Sequence, residues 1–430
     1  MRKNILSIAI VISGLATAQA PGGITNNLQI WVKADAGTGT TNDNAIVANW
    51  TNQRSGGVNG EATPVANNAK PIYRTAESSP NFNFNPSIEI VSTNNTITGY
   101  KFPLGFPNNS TNALTSYTHH TRTQTAGNYR VSFVMNGTTR TSNTTTNAGA
   151  RQAPWFGTSG DRPRIYNQKE SGSGFFGTRT ISSIGTEIPS IYSFYNQLSG
   201  GNMEYVFDNN AITFGPPLTL PNSTSNYPGM VLVMDNSRGG STNIGGDRIG
   251  EFILYSETQT PQVRQKINSY LAVKYGITLG DTSLPVNYLN STSTSTSTGV
   301  VWNGDTTYQN NVFGIGRDDS SGLHQRISTS IDANNKSILV ISTDTNFTAG
   351  NTTHANIPTN QQFTMIGDNG GSTSFSSPIN LFGKTFNRMN RVWKTQDTGD
   401  MNCINIRFKT NVSGNIPSVH QQQTPACTLL

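Results

Sequence analysis

The sequence carries little charge. Asp, Glu, Lys and Arg make up 12% of its 430 residues, about half the share usual in a globular protein. Polarity comes instead from Asn, Thr, Ser and Gly, which dominate the stretches between apolar runs. The basic residues form no cluster and no basic helix, so the phosphate-neutralising footprint of a nucleic-acid binder is missing and that class is excluded. Long apolar runs are missing too: none reaches the roughly 18–20 residues that span a bilayer as a helix. Only two cysteines occur, Cys403 and Cys427. In an oxidising compartment they could bridge, which contributes about 3 kcal/mol in the chain-entropy picture. Two free thiols are the alternative.

At the N-terminus, Arg2 and Lys3 precede an apolar run over residues 5–15 and then Ala16-Thr17-Ala18, small residues at the spacing a signal peptidase reads. A secretory signal over residues 1–18 is expected. Cleavage after Ala20 would leave Pro21 first, an awkward residue for the peptidase, so Ala18 is the better site. Removal of Arg2 and Lys3 lowers the formal net charge from +6 to +4. The mature protein is then expected to be secreted and soluble, or held on a cell surface by something outside this chain.

Residues 260–276, TPQVRQKINSYLAVKYG, commit most clearly to a helix. Thr260 suits the N-cap, Pro261 the first turn and Gly276 the left-handed stop, while Val263, Ile267, Tyr270, Leu271 and Lys274 share one stripe. Almost everything else reads as short strands and polar loops. Leu28, Ile30, Val32 and Ala34 alternate with Gln29, Trp31 and Lys33, which predicts a half-buried strand. Further strands are expected over 129–135, 191–195, 204–207, 230–234 and 251–255, and past the helix over 311–315, 337–342, 363–366, 391–395 and 403–408. The tract STSTSTST at 291–298 has no apolar content and predicts a flexible loop.

The runs 27–35 and 250–255, with the helix 265–279, resemble the ends of concanavalin A-like or laminin G-like jelly-roll domains in large exported, adhesin-like surface proteins of gliding-type bacteria that use type IX secretion. Phe313-Gly-Ile-Gly-Arg-Asp-Asp-Ser-Ser-Gly-Leu323 and Arg391-Val-Trp-Lys-Thr395 resemble an uncharacterised β-domain that follows the jelly roll there. The resemblance implies an all-β protein. A jelly roll over 19–276, closed by its C-terminal helix, would be followed by a linker at 277–299 and a second β-sandwich-like domain at 300–430. Nothing over 417–430 resembles the sorting domain of such proteins, so the resemblance does not extend to their cell-surface anchoring; the sequence ends soon after the strand 403–408 with no capping element, and the second domain is expected to be truncated.

Chemistry is sparse. A jelly-roll glycosidase needs two carboxyl groups facing the scissile bond, and the nearest approach, Glu204 and Asp208, reads better as a strand followed by a turn. No catalytic residue is therefore assigned. The histidines at 119, 120, 324, 354 and 420 show no metal-protease spacing and are expected at the surface. Gly314-Ile-Gly316 begins like a dinucleotide loop but lacks the third glycine. Asp318 and Asp319, beside Gly322 and with Asp368, could take calcium; a turn is the plainer reading, and no metal or cofactor is assigned. Asp305-Thr306-Thr307 resembles an acceptor for O-glycosylation in these bacteria. Trp31, on the polar face of its strand, would be a stacking platform for a sugar ring unless the helix or a loop covers it. The expected function is a non-enzymatic carbohydrate-recognition or adhesion module facing polysaccharide or a cell-surface glycan. A secreted glycoside hydrolase and a structural stalk segment are the alternatives.

Overall fold

The computed structural model describes residues 19–57, 60–62, 70–79, 81–91, 98–102, 114–121, 130–131, 134–136, 151–152, 155–158, 163–168, 175–180, 190–196, 204–207, 210–213, 229–234, 245–331, 337–401 and 404–408. Residues 1–18, where a signal is expected, both cysteines and Asp208 lie outside these residues. The fold is all-β with one α-helix among the described residues.

Its central strand is Gly245–Tyr255, in the middle of an eight-stranded sheet. One edge of this strand pairs along Leu114–Thr121; the other pairs first with Ser87–Val91 and then with Leu28–Lys33. A six-stranded sheet that includes Asn49–Trp50 and Thr98–Phe102 faces it. Ile30, Val32, Ile88, Ile90, Phe252 and Leu254 from the first sheet meet Trp50, Tyr100 and Phe102 from the second in one core. This is the expected sandwich.

The other face of the eight-stranded sheet is covered by the helix Pro261–Tyr275. Thr260 caps it by accepting from the Val263 N–H, and Gly276 ends it at φ 67°, ψ 33°. The left-handed stop is obligatory for space as well as for dihedral, because a Cβ on Gly276 would lie 2.2 Å from the Thr329 carbonyl oxygen. Instead of one buried stripe, every residue from Lys266 to Tyr275 is buried. The reason is a further layer. The strands Asn310–Asp318 and Gln362–Asp368 pack on the far side of the helix, so that Ile253, Tyr255, Leu271, Tyr275, Trp302, Leu323 and Phe363 belong to one continuous core.

Beyond that layer lies a smaller sandwich. The sheet of Leu323–Gln325, Asn310–Asp318, Gln362–Asp368 and Trp393–Thr398 faces Ile327–Ser328, Leu339–Ser342 and Asn405–Phe408. Phe313, Ile315, Leu339, Ile341 and Ile366 fill the space between them. The stretch 277–299 is no free linker. Tyr288–Leu289 pairs with Val300–Trp302, and the Ser/Thr tract folds on its own hydroxyls, with the N–H groups of Thr294 and Ser295 both donating to Thr298 Oγ1 at 2.9 Å. Hydroxyl-to-backbone bonds of this local kind let a segment without apolar residues hold a shape.

Candidate functional site

The densest group of polar side chains sits between the central strand and the helix. Glu251 projects from the same strand face as Ile253 and Tyr255 and is fully buried. Its Oε1 accepts from Trp31 Nε1 at 2.6 Å and from the Tyr270 hydroxyl at 2.9 Å. Its Oε2 accepts from Lys274 Nζ at 2.9 Å and from the Tyr275 hydroxyl at 3.3 Å. Tyr270 and Lys274 stand one helical turn apart and so share a face. Lys274 also meets Asp35 at 3.0 Å, which makes it the bridge between two carboxylates.

Burial opposes the charge on Lys274, but Asp35 and Glu251 outweigh it and raise its pKa above the ordinary lysine value. Burial likewise tends to raise Asp35, whereas the ammonium groups of Lys274 and Lys33 bring it down to about 2. Burial, followed by the Glu251 charge, pushes the Tyr270 and Tyr275 hydroxyls far above the usual tyrosine range. The arrangement keeps protons where they are. A carboxylate that is sealed from water and shared by four donors is a fastening, not an acid or base presented to a substrate.

Trp31 is part of this fastening. It is 1% exposed, so it offers no open sugar platform. Its ring makes an edge contact with Tyr270, at 6.4 Å between centroids, and reaches Gly322 of the second sandwich. Both faces of its strand are buried because a layer lies on each side of the eight-stranded sheet. Leu28 also turns toward the helix, since a bulge separates it from Ile30.

A second polar seam joins the helix end to both units. Asn83 and Asn85 donate to the Lys274 carbonyl at 3.0 and 2.9 Å, which satisfies a helix-terminal acceptor. Asn83 Oδ1 accepts from the Thr329 N–H at 2.8 Å, and Gln325 Nε2 donates to the Asn83 carbonyl at 3.0 Å.

The three aspartates considered for calcium do not converge on one site. Asp318 takes the Ser291 N–H and Gln361 Nε2 at 2.7 and 2.8 Å. Asp319 holds Arg317 through two bonds. Asp368 accepts from Asn311 and the Gly370 N–H. Asp368 pairs with Asn310 across the ladder, which places it roughly 25 Å from Asp318 at the other end of that strand. Among the described residues no three His, Cys, Asp or Glu side chains form a metal-holding group.

His354 is buried, contrary to the surface placement expected for it. Its Nδ1 faces both Asp344 and Ser342, at 2.9 and 3.1 Å, while Nε2 faces the Ala349 carbonyl. Serine and aspartate at one ring nitrogen is not the relay geometry of a nucleophilic triad, which uses opposite nitrogens. Gly314 and Gly316 lie within a strand, where Met365 and Phe363 leave no room for a Cβ. Thr306 and Thr307 are exposed in a turn held by Asp305 Oδ1.

A family described as a domain of unknown function (DUF8202) matches residues 263–426. No curated protein matches the sequence. Among solved structures, Trypanosoma rangeli sialidase in complex with sialic acid is similar at 10% identity and a TM-score of 0.37, over 57% of this chain and 33% of that one. The chain thus corresponds to about a third of the sialidase. Domain 4 of AbnA, a GH43 extracellular arabinanase from Geobacillus stearothermophilus in complex with arabinotriose, is similar at 14% identity and 0.37, over 57% of this chain and all of that domain. The Emp46p carbohydrate recognition domain follows at 12% and 0.31, over 40% and 84%.

Proposed function

We propose that the protein is an exported, non-enzymatic recognition or adhesion module for neutral polysaccharide or cell-surface glycan, of the kind found in surface proteins of gliding-type bacteria. The observation that carries this reading is the use to which the carboxylates are put. Glu251 and Asp35 hold Lys274, Glu89 holds Arg74 and Arg248, Asp319 holds Arg317, Asp368 meets Arg391 and Asp305 meets Lys394. A glycosidase needs two carboxyl groups free to face the bond it breaks. The groups named are committed to cations of the chain itself, which favours binding over turnover. The loops are rich in hydroxyls and amides, groups that can exchange hydrogen bonds with sugar hydroxyls without desolvating a charge.

Cleavage after Ala18 fits this reading. Gln19 is exposed, whereas Ala20 is buried and its N–H donates to the Ser320 carbonyl at 3.0 Å, a contact that the mature chain keeps. No helix among the described residues is long and apolar enough to cross a membrane.

The test uses residues 19–430, because the helix is covered from both sides and neither unit alone preserves its surroundings. Saturable binding on a glycan array, without release of reducing ends, is the expected result. Release of reducing ends that stops on substitution of a carboxylate would establish a hydrolase. A folded sample that binds no glycan would leave the stalk alternative.

A further inference from the structure

We propose that the hairpin of Phe375–Leu381 and Lys384–Met389 docks, tip first, into the interfacial region of an anionic lipid surface. This pair has no fully buried residue: the first arm alternates half-buried and exposed positions and the second is exposed from Lys384 to Arg388. Its turn, Leu381-Phe382-Gly383-Lys384, has positive φ at both central residues, 51° and 73°, the tight turn that suits the twist of a two-stranded ribbon. Glycine accepts that dihedral freely, but phenylalanine does so rarely, so the turn holds a large apolar side chain at the outermost point of the ribbon. Phe382 is 102% exposed. Leu381 and Phe386 beside it are also exposed, and Ile379 is paired across from Phe386. Three of the exposed large apolar side chains therefore gather at one tip.

Charge selects the partner. No acidic residue occurs between Asp368 and Asp397. Of the four cations in that interval, Arg391 is turned inward to Asp368 and Lys394 to Asp305. Lys384 and Arg388 stay exposed on the hairpin. A second copy would bring like charges together on the same apolar face, which opposes self-pairing. The tip is convex and narrow, so it encloses nothing. A soft apolar medium bordered by negative headgroups matches both features, as interfacial aromatic and basic residues do at bilayers generally.

The base of the hairpin is clamped, which keeps the tip projecting. Asn369 Nδ2 donates to the Asn390 carbonyl at 3.1 Å, Arg391 Nε donates to the Gly371 carbonyl at 2.8 Å, and the N–H groups of Asn390 and Arg391 both reach the Ser372 carbonyl.

The experiment is co-sedimentation of residues 19–430 with vesicles of phosphatidylcholine alone and of a phosphatidylcholine–phosphatidylglycerol mixture. Partitioning into the anionic vesicles only, weakening as salt is raised, is expected. Phe382→Ser should reduce it about tenfold or more, and Lys384→Ser or Arg388→Ser about fivefold each. These side chains touch little of the body, and an unchanged melting temperature confirms that each variant is folded. In Phe382→Trp the added indole should shift its emission to the blue on vesicle addition. The proposal is overturned by no partitioning into anionic vesicles, by partitioning that Phe382→Ser leaves intact, or by concentration-dependent self-association that Phe382→Ser abolishes. Glycan binding by the Phe382→Ser protein is a separate readout, so either reading can fail without the other.

Discussion

The indole N–H of Trp31 and the carboxylate of Glu251, 220 residues apart in sequence, are joined by a 2.6 Å hydrogen bond inside the protein. Trp31→Phe keeps an aromatic ring in place and deprives the carboxylate of one donor. It should cost about 1.5–3 kcal/mol, the range for hydrogen bonds to charged groups. Trp31→Ala, which also opens a cavity, should cost about 3–5 kcal/mol. Thermal or chemical unfolding of residues 19–430 measures both, and a Trp31→Phe protein as stable as the parent would show that the bond contributes nothing.

Lys274 is the cation on which Glu251 and Asp35 converge. Removing it as Lys274→Met leaves a buried carboxylate without its counter-charge and should cost about 3–5 kcal/mol. The double variant Glu251→Gln/Lys274→Met should lose less than the sum of the two single changes, because each single variant also bears the penalty of the orphaned partner. Denaturant titration of the four proteins provides the comparison. Strict additivity would argue that the two groups are not coupled.

Acid stability should decline in two separate windows. Burial, with Arg326 and Arg317 nearby, lowers His324 from 6.5 to about 4. Both ring nitrogens face N–H donors, from Arg326 and Ile357, so an imidazolium would find no acceptor there. Between those values the unfolded chain binds a proton that the folded one refuses, so stability falls as pH drops from 6.5 toward 4. Asp35 is shifted from 3.8 to about 2, so its contribution is intact above 3.8 and disappears as pH falls through 2. A His324→Gln protein should lose the upper slope and retain the lower one when unfolding free energy is followed against pH.

Gly276→Ala tests the helix stop. The left-handed dihedral alone costs a non-glycine residue about 1–2 kcal/mol, and the added methyl would collide with the Thr329 carbonyl. A loss above that range is expected, measured as a lowered melting temperature. Gly383 in the exposed hairpin turn, also at positive φ but with open space around it, should bear the same change with only the dihedral cost.

Where local chemistry decides structure, the sequence was readable. Thr260, Pro261 and Gly276 marked the helix ends correctly, and the strand expected over 403–408 forms as Asn405–Phe408. The polar side of the Trp31 strand was misread because a period of two tells which residues share a face, not how many layers cover it. Glu251 gave no signal of its own: a carboxylate opening the run Glu-Phe-Ile-Leu-Tyr could equally begin at a strand edge. Only Tyr270 and Lys274, one turn apart on a helix that carries three basic residues and no acidic one, hinted at an acidic partner. The strand Leu114–Thr121 went unnoticed because its run of Thr, Ser and His lacks an apolar pattern, yet it pairs with neighbours on both edges. The exposed hairpin was missed because its turn is Phe-Gly, not the Asn-Gly or Asp-Gly that usually announces one.

The Ala20 bond to Ser320 and the close approach of Gly23 to Ser291 attach the first described residues to the far unit, while the Tyr255 hydroxyl, which donates to the Ile24 carbonyl at 3.0 Å, ties them to the central strand of the larger sandwich as well. A mechanical load pulling on that end is therefore received at the junction. Tension applied there is shared between the second sandwich, through Ser320, and the central strand of the larger one, through Tyr255.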